Sequence, residues 1–240
     1  MKVKLQIGAG GIFSKYMFLV QNSKNINCNT IYADCIDERA NKNGNPFDFV
    51  LNQTFDETYE TKLAVHMGNY SQEYKLENSP NYFWYKIFVN ESLEIKKEII
   101  DSVNRKKIYD DYIGLHIRLT DMNITHPEYG VKYLENYLPI IDNLPQKPIF
   151  VASDNHESIH RLKRIYGDRI FYNEGFIRSD REYPSSITIQ EDNLSNKVFW
   201  EEAFVDMLLL SMSSHLVFRT SGLAHAAIIH AKQKQTLHRI

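Results

Sequence analysis

The stretch Tyr112-Ile-Gly-Leu-His-Ile-Arg-Leu-Thr-Asp121 decides how this chain is read. Tyr112 to Ile117 is a short apolar run of the kind a buried parallel strand requires. Its far end delivers His116, Arg118 and Asp121 toward a loop. In α/β proteins the loops at strand carboxyl ends carry the chemistry. An arginine held at the end of a buried strand is costly without a partner, so an anionic group is expected beside Arg118, from either a side chain or a ligand phosphate.

Downstream of this stretch the pattern is regular. Strands are expected at Pro148–Ala152, Arg169–Tyr172 and His215–Phe218, and helices at Val131–Ile141, His156–Tyr166, Lys197–Met212 and Gly222–Lys232. Alternation of this kind predicts right-handed crossovers and a parallel sheet covered on both faces. Upstream, Lys2–Ile7 reads as a strand, Gly8-Ala-Gly-Gly11 as a glycine loop and Ile12–Val20 as a helix. A second strand, Ile31–Ala33, ends at Asp34. This is half of a dinucleotide fingerprint, with Asp34 placed for a ribose, but Phe13 stands where the third glycine belongs. Between Asn41 and Tyr85 the pattern is weak: a short helix at Pro46–Leu51, a strand at Lys62–His66, and an aromatic cluster Tyr82–Tyr85 read as packing rather than a sugar platform. Glu91–Lys107 has helical composition, and the domain boundary is placed around it, giving units 1–105 and 106–240.

Bulk properties exclude several classes. The 240 residues carry 28 Lys and Arg against 30 Asp and Glu, a balance unsuited to broad electrostatic binding of nucleic acid. No apolar run approaches the roughly 20 residues of a membrane span. Gly8, Gly10, Gly11 and Lys15 interrupt what could pass for a secretory leader, so a cytoplasmic protein is expected. Cys28 and Cys35 match no common zinc spacing and are expected to be reduced thiols.

Polar residues distant in sequence should meet at one sheet edge: His116 and Arg118 after one strand, Ser153 and Asp154 after the next, and Arg219, Thr220 and Ser221 after the last. A nucleotide diphosphate suits this set. Arg118 would clamp phosphate oxygens, Ser221 and the following helix terminus would add neutral donors, and Asp154 would accept from a guanine edge. Simpler roles compete. Asp154 and Ser221 suit helix caps, Asp121 can pair with Arg118, His116 can be a core histidine, and Asp206 can buttress a neighbour.

These residues also carry a family resemblance. His116-x-Arg118-x-x-Asp121, His126-Pro-Glu-Tyr129, Phe150-Val-Ala-Ser-Asp-Asn155, Asp206-Met-Leu-Leu-Leu-Ser211 and Leu216-Val-Phe-Arg-Thr-Ser221 resemble, in order, the motifs of the GDP-fucose-dependent fucosyltransferase superfamily. The α1,6-type and nodulation enzymes are nearest, with the α1,2-type and protein O-fucosyltransferases close. The resemblance spans Tyr112 to Ala231, about half the chain, with Gly8 to Gly11 similar to the family's glycine loop near the donor.

The resemblance implies a GT-B-like pair of Rossmann-like α/β domains with parallel sheets. It implies transfer of fucose with inversion to an oligosaccharide or glycoconjugate acceptor, and no cofactor beyond the donor substrate. In it Gly10, Gly11, His116, Arg118, Asp154, Thr220 and Ser221 bind GDP-fucose, with Arg118 on the β-phosphate. No Asp-x-Asp is present, so a metal-independent reaction is expected, with Arg118 and helix N–H groups stabilising the leaving GDP. The chain departs from the pattern at Leu119, where close relatives have a second arginine, and at Met122, where a lysine is expected. The family's base has no clear match, leaving Asp121, His126 and Glu128 as candidates, Glu128 and Asp121 first. Two other functions fit parts of the pattern: a nucleotide-sugar or glycan-binding module without catalysis, and an NAD-linked oxidoreductase using the glycine loop and Asp34.

Overall fold

The computed structural model describes residues 2–7, 12–23, 30–35, 45–55, 58–63, 79, 81–119, 131–175, 178 and 193–240. Gly8–Gly11, Asp121, Met122, His126 and Glu128 lie outside the described residues. So does most of the stretch between the strand near residue 63 and the aromatic cluster at 82.

Two parallel sheets organise the chain. In the first, β1 (Lys2–Ile7) is flanked by β2 (Thr30–Cys35) and β3 (Glu60–Leu63), in the order β2-β1-β3. The helix α1 (Ile12–Ser23) connects β1 to β2. The second sheet has five strands: β4 (Ile113–Ile117), β5 (Ile149–Ser153), β6 (Ile170–Tyr172), β7 (His215–Phe218) and β8 (Thr236–Arg239), in the order β6-β5-β4-β7-β8. Every pairing in it is parallel, with His116 opposite Ala152 on one side and Phe218 on the other. This is the mixed α/β, Rossmann-like architecture expected from the alternating pattern. β8 is an addition: Thr236-Leu-His-Arg239 is short and polar and half-buried at best, so it lacks the apolar run that marks the inner strands.

Why both faces are covered follows from the strand residues themselves. Tyr112, Phe150, Ala152, Phe171, Leu216 and Phe218 fall in one hydrophobic cluster, and Ile113, Leu115, Ile117, Ile149, Val151, Ile170 and Val217 fall in another. Alternate side chains of a strand point to opposite faces, so the two clusters are the two sides of the sheet. The second cluster is closed by a 3-10 turn at Val131–Asn136, α5 (Leu138–Asp142) and α6 (His156–Tyr166). The first is closed by α7 (Asn193–Ser211) and α8 (Gly222–His230). All the described side chains of α8 but Leu223 are buried, which fits a helix apolar all round.

The first cluster also takes in the amino-terminal elements. Phe13, Tyr16, Met17, Leu19 and Val20 of α1 are buried in it, as are Phe47 and Val50 of α2 (Phe47–Val50). Phe13 stacks on Phe204 of α7 at 5.3 Å between ring centres, and Phe47 meets Trp200 edge-on at 5.7 Å. Tyr16 Oη lies 2.6 Å from His230 Nε2 on α8.

Two helices differ from expectation for identifiable reasons. The helix expected over Glu91–Lys107 starts late, as α4 (Lys97–Lys106), and a helix not expected from the sequence, α3 (Tyr82–Glu91), ends at the first residue of that span. Between them, Asn52 N–H donates to the Glu94 carbonyl at 2.7 Å and Lys96 N–H to that of Val50 at 2.9 Å, so a neighbouring segment takes the backbone groups a continuous helix would use. The helix expected at Val131–Ile141 is divided, with Pro139 in the first turn of α5, where its missing N–H costs nothing. In the aromatic cluster, Tyr85 is buried and Trp84 stacks on Phe88 at 5.3 Å, while Phe83 is 77% exposed. No helix among the described residues is long and apolar enough to cross a membrane.

Candidate functional site

Strand order locates the site. From β4 the chain steps outward to β5 and β6, then returns past β4 to add β7 and β8 on its other side. The reversal falls between β4 and β7. Elements following β4 and β5 cover one face and those following β6 and β7 the other, so the loops leaving β4 and β7 part company and open a crevice at their carboxyl ends. His116 and Arg118 stand on one lip, and Arg219, Thr220 and Ser221 on the other.

His116 joins the lips. It is 5% exposed, its Nδ1 is 3.4 Å from Ser221 Oγ, and its ring is hydrogen-bonded to the Arg219 backbone. Its carbonyl accepts from Tyr137 Oη at 3.2 Å. Burial, together with the positive charge of Arg118, pulls its pKa down to about 3, so at neutral pH the ring is uncharged and offers one donor and one acceptor. Ser221 caps α8, its Oγ accepting from Ala224 N–H at 3.1 Å, as its position before the helix predicts. Thr220 is half-buried at the same turn.

Arg118 is exposed. The expected cost of burying it therefore does not arise, and its case for an anionic partner rests on location rather than burial. The next residue is its opposite: Leu119 is 1% exposed and belongs to the core cluster that holds Leu134 and Tyr137.

Asp154 has a different first duty from the helix cap considered for it. Its Oδ1 accepts the Leu119 N–H at 3.0 Å, tying the loop after β5 to the loop after β4. The cap of α6 is Asn155, whose Oδ1 accepts from Ser158 N–H at 2.9 Å. Ser153, expected at this edge, is turned to the same cap through Ser158 Oγ at 2.8 Å.

Behind Asp154 lies a polar cluster that sequence reasoning did not find. Arg178 is buried, its Nη1 donating to the Asn173 carbonyl at 2.8 Å and its guanidinium 5.0 Å from the Tyr172 ring. It acts electrostatically on Asp206 and Asp154. Asp206, 2% exposed on α7, is the buttress expected of it: burial pushes its carboxyl up to about 7, against the opposing pull of Arg178 and a hydrogen bond from Asn173. Asn173 Nδ2 donates to Glu202 Oε2 at 2.7 Å, and Glu202 pairs with Lys106 of α4. An arginine in a long polar loop has no periodicity to mark it as buried, and only the fold brings it to Asp206.

Asp34, the ribose-binding residue of the oxidoreductase alternative, is engaged by Lys4 at 3.0 Å across β1 and β2. A cavity of about 500 Å³ lies at the opposite, amino edge of the second sheet, between Val89, Leu93, Ile100, Leu208, Met212 and His230. None of the described residues expected to bind or react lines it. Among the described residues, no cluster of three or more His, Cys, Asp or Glu could hold a metal ion.

At the switch point, then, Arg118 and Arg219, a neutral imidazole and a buried hydroxyl gather at a helix start. Among the described residues Asp154 is an acid beside this set, and it accepts the Leu119 N–H. Such a set suits an anion with several oxygens better than it suits a cation or an apolar ligand.

No family model matches the chain, and no curated protein sequence does. Solved structures do match in fold. A NodZ α1,6-fucosyltransferase co-crystallised with GDP superposes with a TM-score of 0.54 at 12% identity, over 95% of this chain and 92% of that one. Selenomethionyl fucosyltransferase NodZ from Bradyrhizobium gives 0.51 at 11% identity over the same shares. At such identity the likeness is one of fold.

Proposed function

We propose that this chain is a GDP-fucose-dependent fucosyltransferase that transfers fucose, with inversion and without a metal, to a glycan hydroxyl. The observation that carries the reading is the meeting of Arg118, His116, Arg219 and Ser221 at the switch point of a parallel sheet, in a fold shared with an enzyme crystallised with GDP. In this reading 106–240 holds the donor and 1–105 faces the acceptor in a GT-B-like pair.

The reaction assigns work to each group. The acceptor oxygen attacks the anomeric carbon from the face opposite the nucleotide, and the bond from that carbon to the β-phosphate oxygen breaks with its electron pair leaving on GDP. Arg118 neutralises that growing charge, which is where fixed donors contribute most. Ser221 and the start of α8 add uncharged donors. A carboxylate takes the acceptor's proton, and Asp121 and Glu128 are the residues proposed for it.

Titration calorimetry with GDP and ADP tests the donor assignment. GDP is expected to bind and ADP to bind at least about tenfold more weakly, through loss of the guanine contacts. Equal affinities, or no binding of either, would remove guanine recognition. Leu119 in the core, where close relatives carry a second arginine, favours one rival: a nucleotide-sugar binding module without catalysis. Transfer of label from GDP-fucose to any glycan in an acceptor screen excludes that rival, and tight GDP binding without transfer or donor hydrolysis supports it.

A further inference from the structure

We propose that the cavity at the amino edge of the second sheet binds an aliphatic monocarboxylic acid, its carboxylate taken by His230 and Lys232 and its chain by the apolar walls. The cavity lies at the opposite edge of the sheet from the crevice and shares none of the described residues assigned there. It is a second site, and it stands apart from the nucleotide-sugar reading.

Three observations carry it. First, the space has aliphatic walls. Its volume of about 500 Å³ falls in the range of small-molecule sites. Val89 of α3, Leu93 and Ile95 of the link to α4, Ile100 of α4, and Leu208 and Met212 at and just beyond the end of α7 line it, and no phenylalanine, tyrosine or tryptophan does. Ile100 is 37% exposed, apolar surface that a bound chain would cover. Second, the wall holds a buried donor in need of an acceptor. His230 is 6% exposed, and among the described residues its one hydrogen bond joins Nε2 to Tyr16 Oη at 2.6 Å. Tyr16 is 0% exposed and has no other hydrogen-bond partner among the described residues. Burial raises its pKa, so the hydroxyl keeps its proton and donates it to Nε2. Burial also pulls the His230 pKa down to about 3, so the ring is neutral at pH 7. A neutral imidazole that accepts at Nε2 carries its proton on Nδ1, which leaves His230 an N–H to offer and no lone pair. Third, positive charge stands beside that donor. Lys232 follows two residues on and its charge acts on the His230 ring. Set just beyond α8, it offsets the negative helix end that an anion would otherwise meet. The acids of the lining are engaged, Asp110 by Lys107 at 3.0 Å and Glu94 by Asn52 Nδ2 at 2.9 Å.

Together these fix the ligand class. His230 calls for an acceptor, Lys232 favours negative charge on it, and the walls call for methylenes; a carboxylate on an aliphatic chain supplies all three. A sugar or a base finds no ring to stack on, and an alkane leaves the Nδ1–H unmatched.

The test is calorimetry on the full chain with octanoate, decanoate and methyl octanoate, for wild type, His230→Phe and Met212→Trp, with melting temperatures alongside. Octanoate is expected to bind one per chain, and decanoate up to about tenfold more tightly for its further methylenes. Methyl octanoate, which keeps an acceptor and loses the charge, is expected to bind about threefold or more weakly than octanoate. His230→Phe removes the donor and is expected to weaken octanoate by about tenfold or more, as for a lost hydrogen bond to a charged group. Met212→Trp fills the space from a half-buried position and is expected to weaken decanoate by about tenfold or more. That variant decides the matter if His230→Phe does not fold. The site is overturned by a wild type that binds neither acid, by binding indifferent to chain length or to Met212→Trp, or by an ester that binds as tightly as the acid.

Discussion

Leu119 and Arg118 are neighbours in the chain and opposites in environment, one buried in the core and the other exposed at the crevice. Arg118→Ala is expected to weaken GDP binding by about 1.5–3 kcal/mol, the range for hydrogen bonds to charged groups, with the melting temperature little changed. Unchanged affinity would take Arg118 out of the site. Leu119→Arg reinstates the adjacent second arginine in sequence but not in space. It should cost at least about 2 kcal/mol of unfolding free energy, the low end for losing a buried leucine, and should not tighten GDP. A gain in GDP affinity would count against the orientation argued for this residue. At this scale the sequence was legible in part. Arg118, His116 and Ser221 could be picked out because each follows or precedes an apolar run. The tie from Asp154 to Leu119 N–H could not, since it joins two loops whose separation no local pattern encodes.

The elements that present these residues depend on close contacts. Gly114, in the middle of β4, leaves no room for a side chain: an added Cβ would lie 2.6 Å from Ser213 Oγ and 3.1 Å from Leu210 Cδ2 at the end of α7. Gly114→Ala is therefore expected to destabilise the fold by about 1–3 kcal/mol through overpacking, read as a lower urea midpoint. Two helix caps offer a contrast. Asn155→Ala and Ser221→Ala each remove a cap, at about 1 kcal/mol of stability. Ser221→Ala alone also removes the hydroxyl beside His116, so it should weaken GDP while Asn155→Ala leaves GDP affinity within about twofold. Equal effects of the two on GDP would reduce Ser221 to a cap. The strands at 113–117, 149–153 and 170–172 and the helix at 156–166 were readable because each is apolar on the faces it buries. The break between α3 and α4 was not, because it is imposed by hydrogen bonds to residues 50–52.

Across the whole molecule, burial of ionisable groups ties stability to pH. Burial pulls the pKa values of His116, His225 and His230 down to about 3, 4 and 3, with the nearby charges of Arg118, Arg239 and Lys232 acting in the same direction. An unfolded histidine takes up a proton below about pH 6.5, while these folded ones stay neutral until far lower, so stability falls as pH drops through that window. Asp206 works the other way. With its pKa raised to about 7, the folded state keeps a proton that the unfolded chain releases above about pH 4, so its contribution is full below pH 4 and lost as pH rises through 7. Near pH 5 the three histidines outweigh the one aspartic acid, so unfolding takes up protons on balance and stability falls as the pH falls. Urea titrations at pH 7.5 and pH 5 should show markedly lower stability at pH 5, and a flat profile would refute the buried, neutral state of the histidines.

The sequence by itself determined that this is an α/β chain with a parallel sheet, where its inner strands run, and which loops carry polar residues, because a strand buried on both faces must be apolar throughout and its ends must not be. Only the tertiary structure decided the strand order, and with it the reversal between β4 and β7 that brings Arg118 and Arg219 to opposite lips of one crevice. It also decided that Leu119 turns into the core, that Arg178 reaches Asp206, and that β8 closes the sheet. These are contacts between residues far apart in the chain, settled by which packing buries the most apolar surface while satisfying the polar groups it encloses.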